Sequence, residues 1–124
     1  MLEQSVTLDP HDESGDGSGY PFFITAKRYW IPAFESNNND PTAITLIFLH
    51  ATSFHKETWE PTIERVFRLA LSRDSRLHNV KIREAWAIDC PNHGESALLN
   101  EKTLQQPEFL YKCQFFYDQL FVLV

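Results

Sequence analysis

An apolar run of strand length, Ile44–Leu49, limits the possible folds of this chain more than any other stretch. The run has the length of one strand, and it leads into the turn His50–Ser53 shortly before a helical pattern begins. A strand without polar alternation is typical of a sheet that is buried on both faces. We therefore predict a buried parallel strand of an α/β sheet, whose exit turn lies at the edge where such sheets bind ligands.

An amphipathic helix is predicted directly after this strand. Its apolar residues recur with a period of 3.6 and form one stripe: Trp59, Ile63, Val66, Phe67 and Ala70. Its charged residues fall on the other faces: Lys56, Glu60, Glu64, Arg65 and Arg68. Because Pro61 is tolerated only in a first turn, we expect the helix to begin near Glu57 or Thr58.

A second apolar strand, from Lys81 to Asp89, completes a strand–helix–strand unit, for which a parallel crossover is expected. Two earlier segments, Ser5–Leu8 and Tyr20–Trp30, have the composition of strands and are predicted to form a hairpin-like entry to the sheet. The chain therefore belongs to the α/β class.

Composition excludes several kinds of function. The 124 residues are 43% hydrophobic, which suits one domain with a core, and the net charge of −6 argues against nucleic-acid binding. Cys90 and Cys113 form neither a disulfide framework nor a zinc pattern, so we expect no metal and no cofactor. No signal peptide and no apolar run of about 20 residues is present, so we expect a cytoplasmic chain without a membrane partner.

The loop from Asp89 to Ser96 has alternative interpretations. Asp89 and His93, with His50, are the residue types of a metal or acid–base site. The favoured alternative is structural, because Asp and Ser side chains bind loop backbone and Gly94 allows a positive φ. Ser96 is not favoured as a nucleophile, because the second glycine of a Gly-x-Ser-x-Gly elbow is replaced by leucine.

Together, the Leu49–Ser53 and Ala87–Ser96 turns resemble the amino-terminal part of the α/β-hydrolase fold family. That family has a His-Gly-x-x turn after its third strand and an Asp-x-(Arg/Pro)-Gly-His-Gly-x-Ser loop after its fourth. The second motif matches at five positions: Asp89, Pro91, His93, Gly94 and Ser96. It departs at Asn92, where the family has a glycine. The first motif has Ala51 at its glycine position, where a positive φ would be strained.

The resemblance implies a partial α/β-hydrolase-type sheet, with strands 1–4 and one crossover helix, truncated before the nucleophile elbow. It assigns the residues of the first turn to the oxyanion hole and substrate binding: His50, Ala51, Thr52 and Ser53. The Thr52 N–H would be the donor. It assigns Asp89, His93, Gly94 and Ser96 to a structural loop. The parent protein would hydrolyse an ester, amide or similar bond of a small-molecule substrate. Without nucleophile, acid and catalytic His, this chain is expected to be inactive alone.

We divide the chain into three parts on this basis. Residues 1–19 comprise a strand and an acidic Gly/Ser loop, residues 20–99 the hydrolase-like part, and residues 100–124 an unassigned helix or tail. Because the family places a further strand beside its third, Ile44–Leu49 is expected to form an open sheet edge. An open apolar edge favours self-association, so the alternative function is a non-catalytic binding or assembly module.

Overall fold

The computed structural model describes residues 1–10, 21–73, 76–107 and 109. The regular elements are, in chain order, strands β1 (Leu2–Leu8), β2 (Ile24–Trp30) and β3 (Ile44–Leu49), helix α1 (Glu60–Leu71), strand β4 (Ile82–Ile88) and short helices α2 (Gly94–Leu99) and α3 (Glu101–Leu104). Two 3₁₀ helices, Pro32–Asn37 and Lys56–Trp59, precede β3 and α1. The acidic loop 11–19 and the tail 110–124 lie outside the described residues.

The described strands form one mixed sheet in the order β1-β2-β4-β3. β1 and β2 pair antiparallel along their whole length, from Leu2 opposite Trp30 to Leu8 opposite Ile24. β2 and β4 are also antiparallel, whereas β3 and β4 are parallel neighbours joined through α1. The predicted strand–helix–strand unit and the paired entry strands are therefore confirmed.

Helix α1 covers one face of the sheet. Pro61 lies at its first turn, as predicted, and the helix continues directly from the second 3₁₀ helix. The apolar stripe packs against sheet residues in one buried cluster: Tyr29, Phe34, Ile63, Phe67, Ala70, Ile82, Ala85 and Ala87. Phe34 and Phe67 meet edge to face with ring centroids 5.1 Å apart. Among the described residues, no helix is long and apolar enough to cross a membrane.

The prediction that Ile44–Leu49 is buried on both faces is wrong. Leu46 and Phe48 pack against the core, but Ile44 is 44% exposed and Ile47 is 65% exposed. The reason is the position of β3, which has β4 as its only neighbour in the described sheet and packs against the core cluster on one face. The expectation of an open edge at β3 agrees with this arrangement of the described residues.

Candidate functional site

The two turns singled out in the sequence lie side by side at one end of the sheet. The first follows Leu49 at the end of β3, and the second follows Ile88 at the end of β4, its register partner in the parallel ladder. Since parallel neighbours end at the same edge, the His50 and Asp89 turns share one rim.

His50 fixes the first turn to the second through its ring. Its side chain is buried, and the Cys90 N–H donates to His50 Nε2 at 3.1 Å. Nε2 must therefore accept, which places the ring proton on Nδ1, where it meets the Ala51 carbonyl oxygen at 2.9 Å. Both ring nitrogens bind the main chain, so the geometry gives His50 a positioning role.

His93 makes the reverse connection. The Ser53 N–H donates to His93 Nε2 at 3.1 Å, and His93 Nδ1 lies 2.8 Å from Asn92 Oδ1. Burial and the neighbouring His50 ring lower the pKa of His93, and the Asp89 carboxylate offsets this only in part. A neutral imidazole is the form that can accept from Ser53.

The strained residue of the first turn is Ser53. It has φ +71°, and in the described chain it is the only residue other than glycine with a positive φ. The strain expected at Ala51 is therefore absent, because the turn shifts the left-handed conformation two positions along the chain. A left-handed conformation in a residue with a Cβ costs roughly 1–2 kcal/mol.

Asp89 is the buried centre of the second turn. Its Oδ1 accepts the Lys56 N–H at 2.7 Å, and its Oδ2 accepts the Thr25 hydroxyl at 3.1 Å and the Glu95 N–H at 3.1 Å. The Lys56 ammonium donates to the same Oδ2 at 2.8 Å. The carboxylate therefore joins β2, the start of the crossover and the start of α2.

Lys56 is the main buried residue that the sequence analysis missed. It was predicted on a charged outer face, yet it is 0% exposed, and its ammonium also contacts Glu95 at 2.8 Å and Glu57 at 3.1 Å. Burial lowers the pKa of Lys56, but hydrogen bonds to Asp89, Glu95 and Glu57 outweigh it and the pKa is raised. In the sequence, a lysine beside an amphipathic stripe looks the same whether it is buried or exposed to solvent.

Gly94 and Ser96 close the second turn around Asp89. Gly94 has φ +51°, and a Cβ there would lie 2.3 Å from Asp89 Oδ2, so only glycine fits. Ser96 is 0% exposed and its Oγ accepts the Thr25 N–H at 2.8 Å. The same Oγ lies 3.0 Å from Thr25 Oγ1.

Asn100 is a second buried residue that the sequence analysis missed. Its Oδ1 accepts the Phe23 N–H at 2.8 Å, and its Nδ2 donates to the Phe23 carbonyl at 2.8 Å and the Pro91 carbonyl at 3.0 Å. The side chain thus binds the backbone just before β2 as a neighbouring strand would. An asparagine after a helix is typical of an ordinary cap, so its reach to residue 23 is visible only in the fold.

The described residues contain no cluster of three or more His, Cys, Asp or Glu placed to hold a metal ion. The alternative prediction of a metal or acid–base site concerns His50, Asp89 and His93. Both imidazole Nε2 atoms already accept hydrogen bonds from backbone N–H groups. Asp89 in turn is engaged by Lys56. This arrangement serves to hold two turns in place.

Comparison with known proteins identifies the fold. No protein-family model and no curated protein sequence matches the chain. Among solved structures, the peroxisomal alpha-beta-hydrolase Lpx1 from Saccharomyces cerevisiae is similar, with a TM-score of 0.54 and 22% identity over 80% of this chain. The match covers 26% of that chain, so the present chain spans about a quarter of its length. The mixed sheet with its crossover helix is thus a partial α/β-hydrolase-type fold, which confirms the resemblance in fold.

Proposed function

We propose that this chain supplies the oxyanion turn of a hydrolase acting on an ester, amide or similar bond of a small molecule. The observation that carries the proposal is the exposed Thr52 beyond the end of β3. Its N–H has no hydrogen-bond partner in the described part of the chain, whereas the next N–H, on Ser53, binds His93. A fixed backbone N–H at such a turn stabilises the negative charge that develops in acyl transfer.

The chain is proposed to be inactive alone. Ser96, the one serine in a partial elbow motif, is fully buried, and its Oγ is hydrogen-bonded to Thr25 and to the Asp89 carbonyl. A nucleophile must reach a carbonyl carbon and lie beside a base. The nucleophile, acid and catalytic His would therefore come from outside this chain.

Activity is tested with p-nitrophenyl acetate and the purified 124-residue chain. We expect turnover no faster than that of free imidazole at the same histidine concentration, in both the unaltered chain and Ser96→Ala. Faster turnover that Ser96→Ala abolishes would show that the chain carries its own nucleophile.

The oxyanion turn is tested separately by NMR titration with inorganic phosphate, a tetrahedral oxyanion. We expect the Thr52 amide signal to shift with saturation, while the amide of Asn79 in an exposed loop stays unchanged. Thr52→Pro removes the donor and should abolish saturation at the neighbouring Ser53 amide. Equal, non-saturating shifts at Thr52 and Asn79 would reject the assignment of the donor.

The edge of β3 supports a second candidate function, self-association of two copies. The strand carries no charged side chain, so two antiparallel copies related by a two-fold axis would bring no like charges together. We expect a concentration-dependent dimer in sedimentation equilibrium, lost in Ile47→Lys. Leu98→Lys, which also replaces an exposed aliphatic residue with lysine but in α2, where the side chain is 77% exposed, should leave the dimer intact. A monomer at all concentrations would exclude this function.

A further inference from the structure

A cavity of about 380 Å³ lies near the start of β4, at the opposite end of that strand from Asp89. It lies beside a shift in the β3–β4 register, where Ile44 pairs with Ile82 but Thr45 pairs with Glu84. Arg83 has no register partner on β3 at this shift. Such irregularities redirect a side chain away from the regular alternation of a strand, and Arg83 lines the cavity.

The Arg83 guanidinium is partly buried and forms no ion pair within the described residues, although the Glu35 carboxylate also lines the cavity. One of its terminal nitrogens donates to the Asp40 carbonyl oxygen at 3.1 Å, and its Nε is buried without an acceptor. No carboxylate of the described residues forms an ion pair with it. Because a charge removed from water is unfavourable unless it is paired, this guanidinium would gain from a bound anion.

The other basic residue of the cavity is already neutralised. Arg28 donates through Nε to the Glu84 carboxylate, and its guanidinium lies over the Trp30 ring, 4.9 Å from the ring centroid. Trp30 and the buried Phe34 give the cavity planar apolar surfaces, and Asn38 adds a side-chain amide. The combination offers one positive charge without an ion pair beside aromatic surface, with the Glu35 carboxylate opposite it on the lining.

We propose that this cavity binds a small organic carboxylate with a planar apolar body, whose negative charge is neutralised by Arg83. Its size lies at the lower end of the roughly 300–1,000 Å³ range of small-molecule sites, which limits the ligand to about one ring. Five residues of β4 lie between Arg83 and Asp89, a span of about 20 Å. The carboxylate site is therefore separate from the proposed oxyanion turn.

The test is an NMR titration of the full chain with benzoate and with benzamide, its neutral analogue. We expect benzoate to saturate the Trp30 indole and Asn38 side-chain signals, and benzamide to bind at least about tenfold more weakly. This comparison uses the unaltered chain, so its result does not depend on whether any variant folds. Equal affinities for the two compounds would overturn the proposal.

Two substitutions assign the charge. Arg83→Gln should weaken benzoate binding about tenfold, whereas Arg65→Gln, the same change on the exposed face of α1, should leave the dissociation constant unchanged. Glu35→Gln removes the opposing carboxylate that lines the cavity and should tighten binding about threefold. Equal effects of the two arginine changes, or weaker binding in Glu35→Gln, would contradict the assignment.

Discussion

His50 and His93 each accept a backbone N–H from the turn that carries the other histidine. The Cys90 N–H donates to His50, the Ser53 N–H donates to His93, and both distances are 3.1 Å. The ring centroids are 5.0 Å apart. Two reciprocal hydrogen bonds fix the relative position of the turns. The side chain of Thr52, the candidate oxyanion donor, takes no part in them. These two bonds hold the rim on either side of Thr52, where the proposed function needs a fixed N–H.

Replacing Lys56 with methionine should destabilise the fold strongly. The change leaves the Asp89 carboxylate buried without its cation, and breaking a buried ion pair in this way costs about 3–5 kcal/mol. Urea unfolding measures the free energy, and Lys102→Met, at an exposed lysine, should change it by less than about 0.5 kcal/mol. Adding Asp89→Asn to Lys56→Met should recover part of the loss. Equal effects at Lys56 and Lys102 would contradict a buried pair.

Gly94→Ala should destabilise the chain by at least about 2 kcal/mol, since a positive φ alone costs roughly 1–2 kcal/mol and the new Cβ collides with Asp89. Thermal or urea unfolding reports the change. Ala97→Gly, in the same short helix, serves as the control and should cost no more than about 1 kcal/mol. A neutral Gly94→Ala would show that the second turn has another geometry.

Ser53→Gly should stabilise the chain, in contrast to Gly94→Ala. Glycine adopts φ +71° without strain and keeps the N–H that binds His93, so stability should rise by about 0.5–1 kcal/mol after the entropy of the unfolded chain is included. The same substitution at exposed Ser36, which lacks a positive φ, should not stabilise. A loss of stability in Ser53→Gly would place the left-handed residue elsewhere.

Stability should decrease as the pH falls below about 6.5. The pKa of His93 is lowered in the folded chain, so the unfolded chain takes up the proton first and acid favours unfolding. Above the unfolded pKa both states are neutral, and the full contribution of His93 is present. Urea unfolding from pH 7.5 to 5.5 should show a shallower pH dependence in His93→Gln. An unchanged slope would mean that His93 does not titrate differently on folding.

Asn100→Ala should destabilise by about 2–4 kcal/mol, because each buried backbone group left unpaired costs about 1–3 kcal/mol. The Phe23 N–H and carbonyl and the buried Pro91 carbonyl all lose a partner. Asn79→Ala, at an exposed asparagine, is the matched control and should be neutral within about 0.5 kcal/mol. Similar values for the two variants would show that water replaces the Asn100 amide.

Residue patterns along the chain are sufficient to predict the strand–helix–strand unit and the common rim of its two turns. Periodicity determines which residues face a core, and a parallel crossover then brings the ends of both strands to one edge, whatever the details of packing. The apolar stripe of α1 and the positive φ of Gly94 follow from such local rules. The composition of the two entry strands also predicted a hairpin-like arrangement, and β1 and β2 do pair.

Which polar residues are buried depends instead on how distant segments pack together. Lys56 and Asn100 have partners 33 and 77 positions away, and local patterns carry no information about contacts across such distances. The exposure of Ile47 was likewise decided by what covers β3, because an apolar run records a preference for burial and not the presence of a neighbour. Hydrophobic pattern is a property of one segment, whereas the pairing of buried charges depends on several segments meeting.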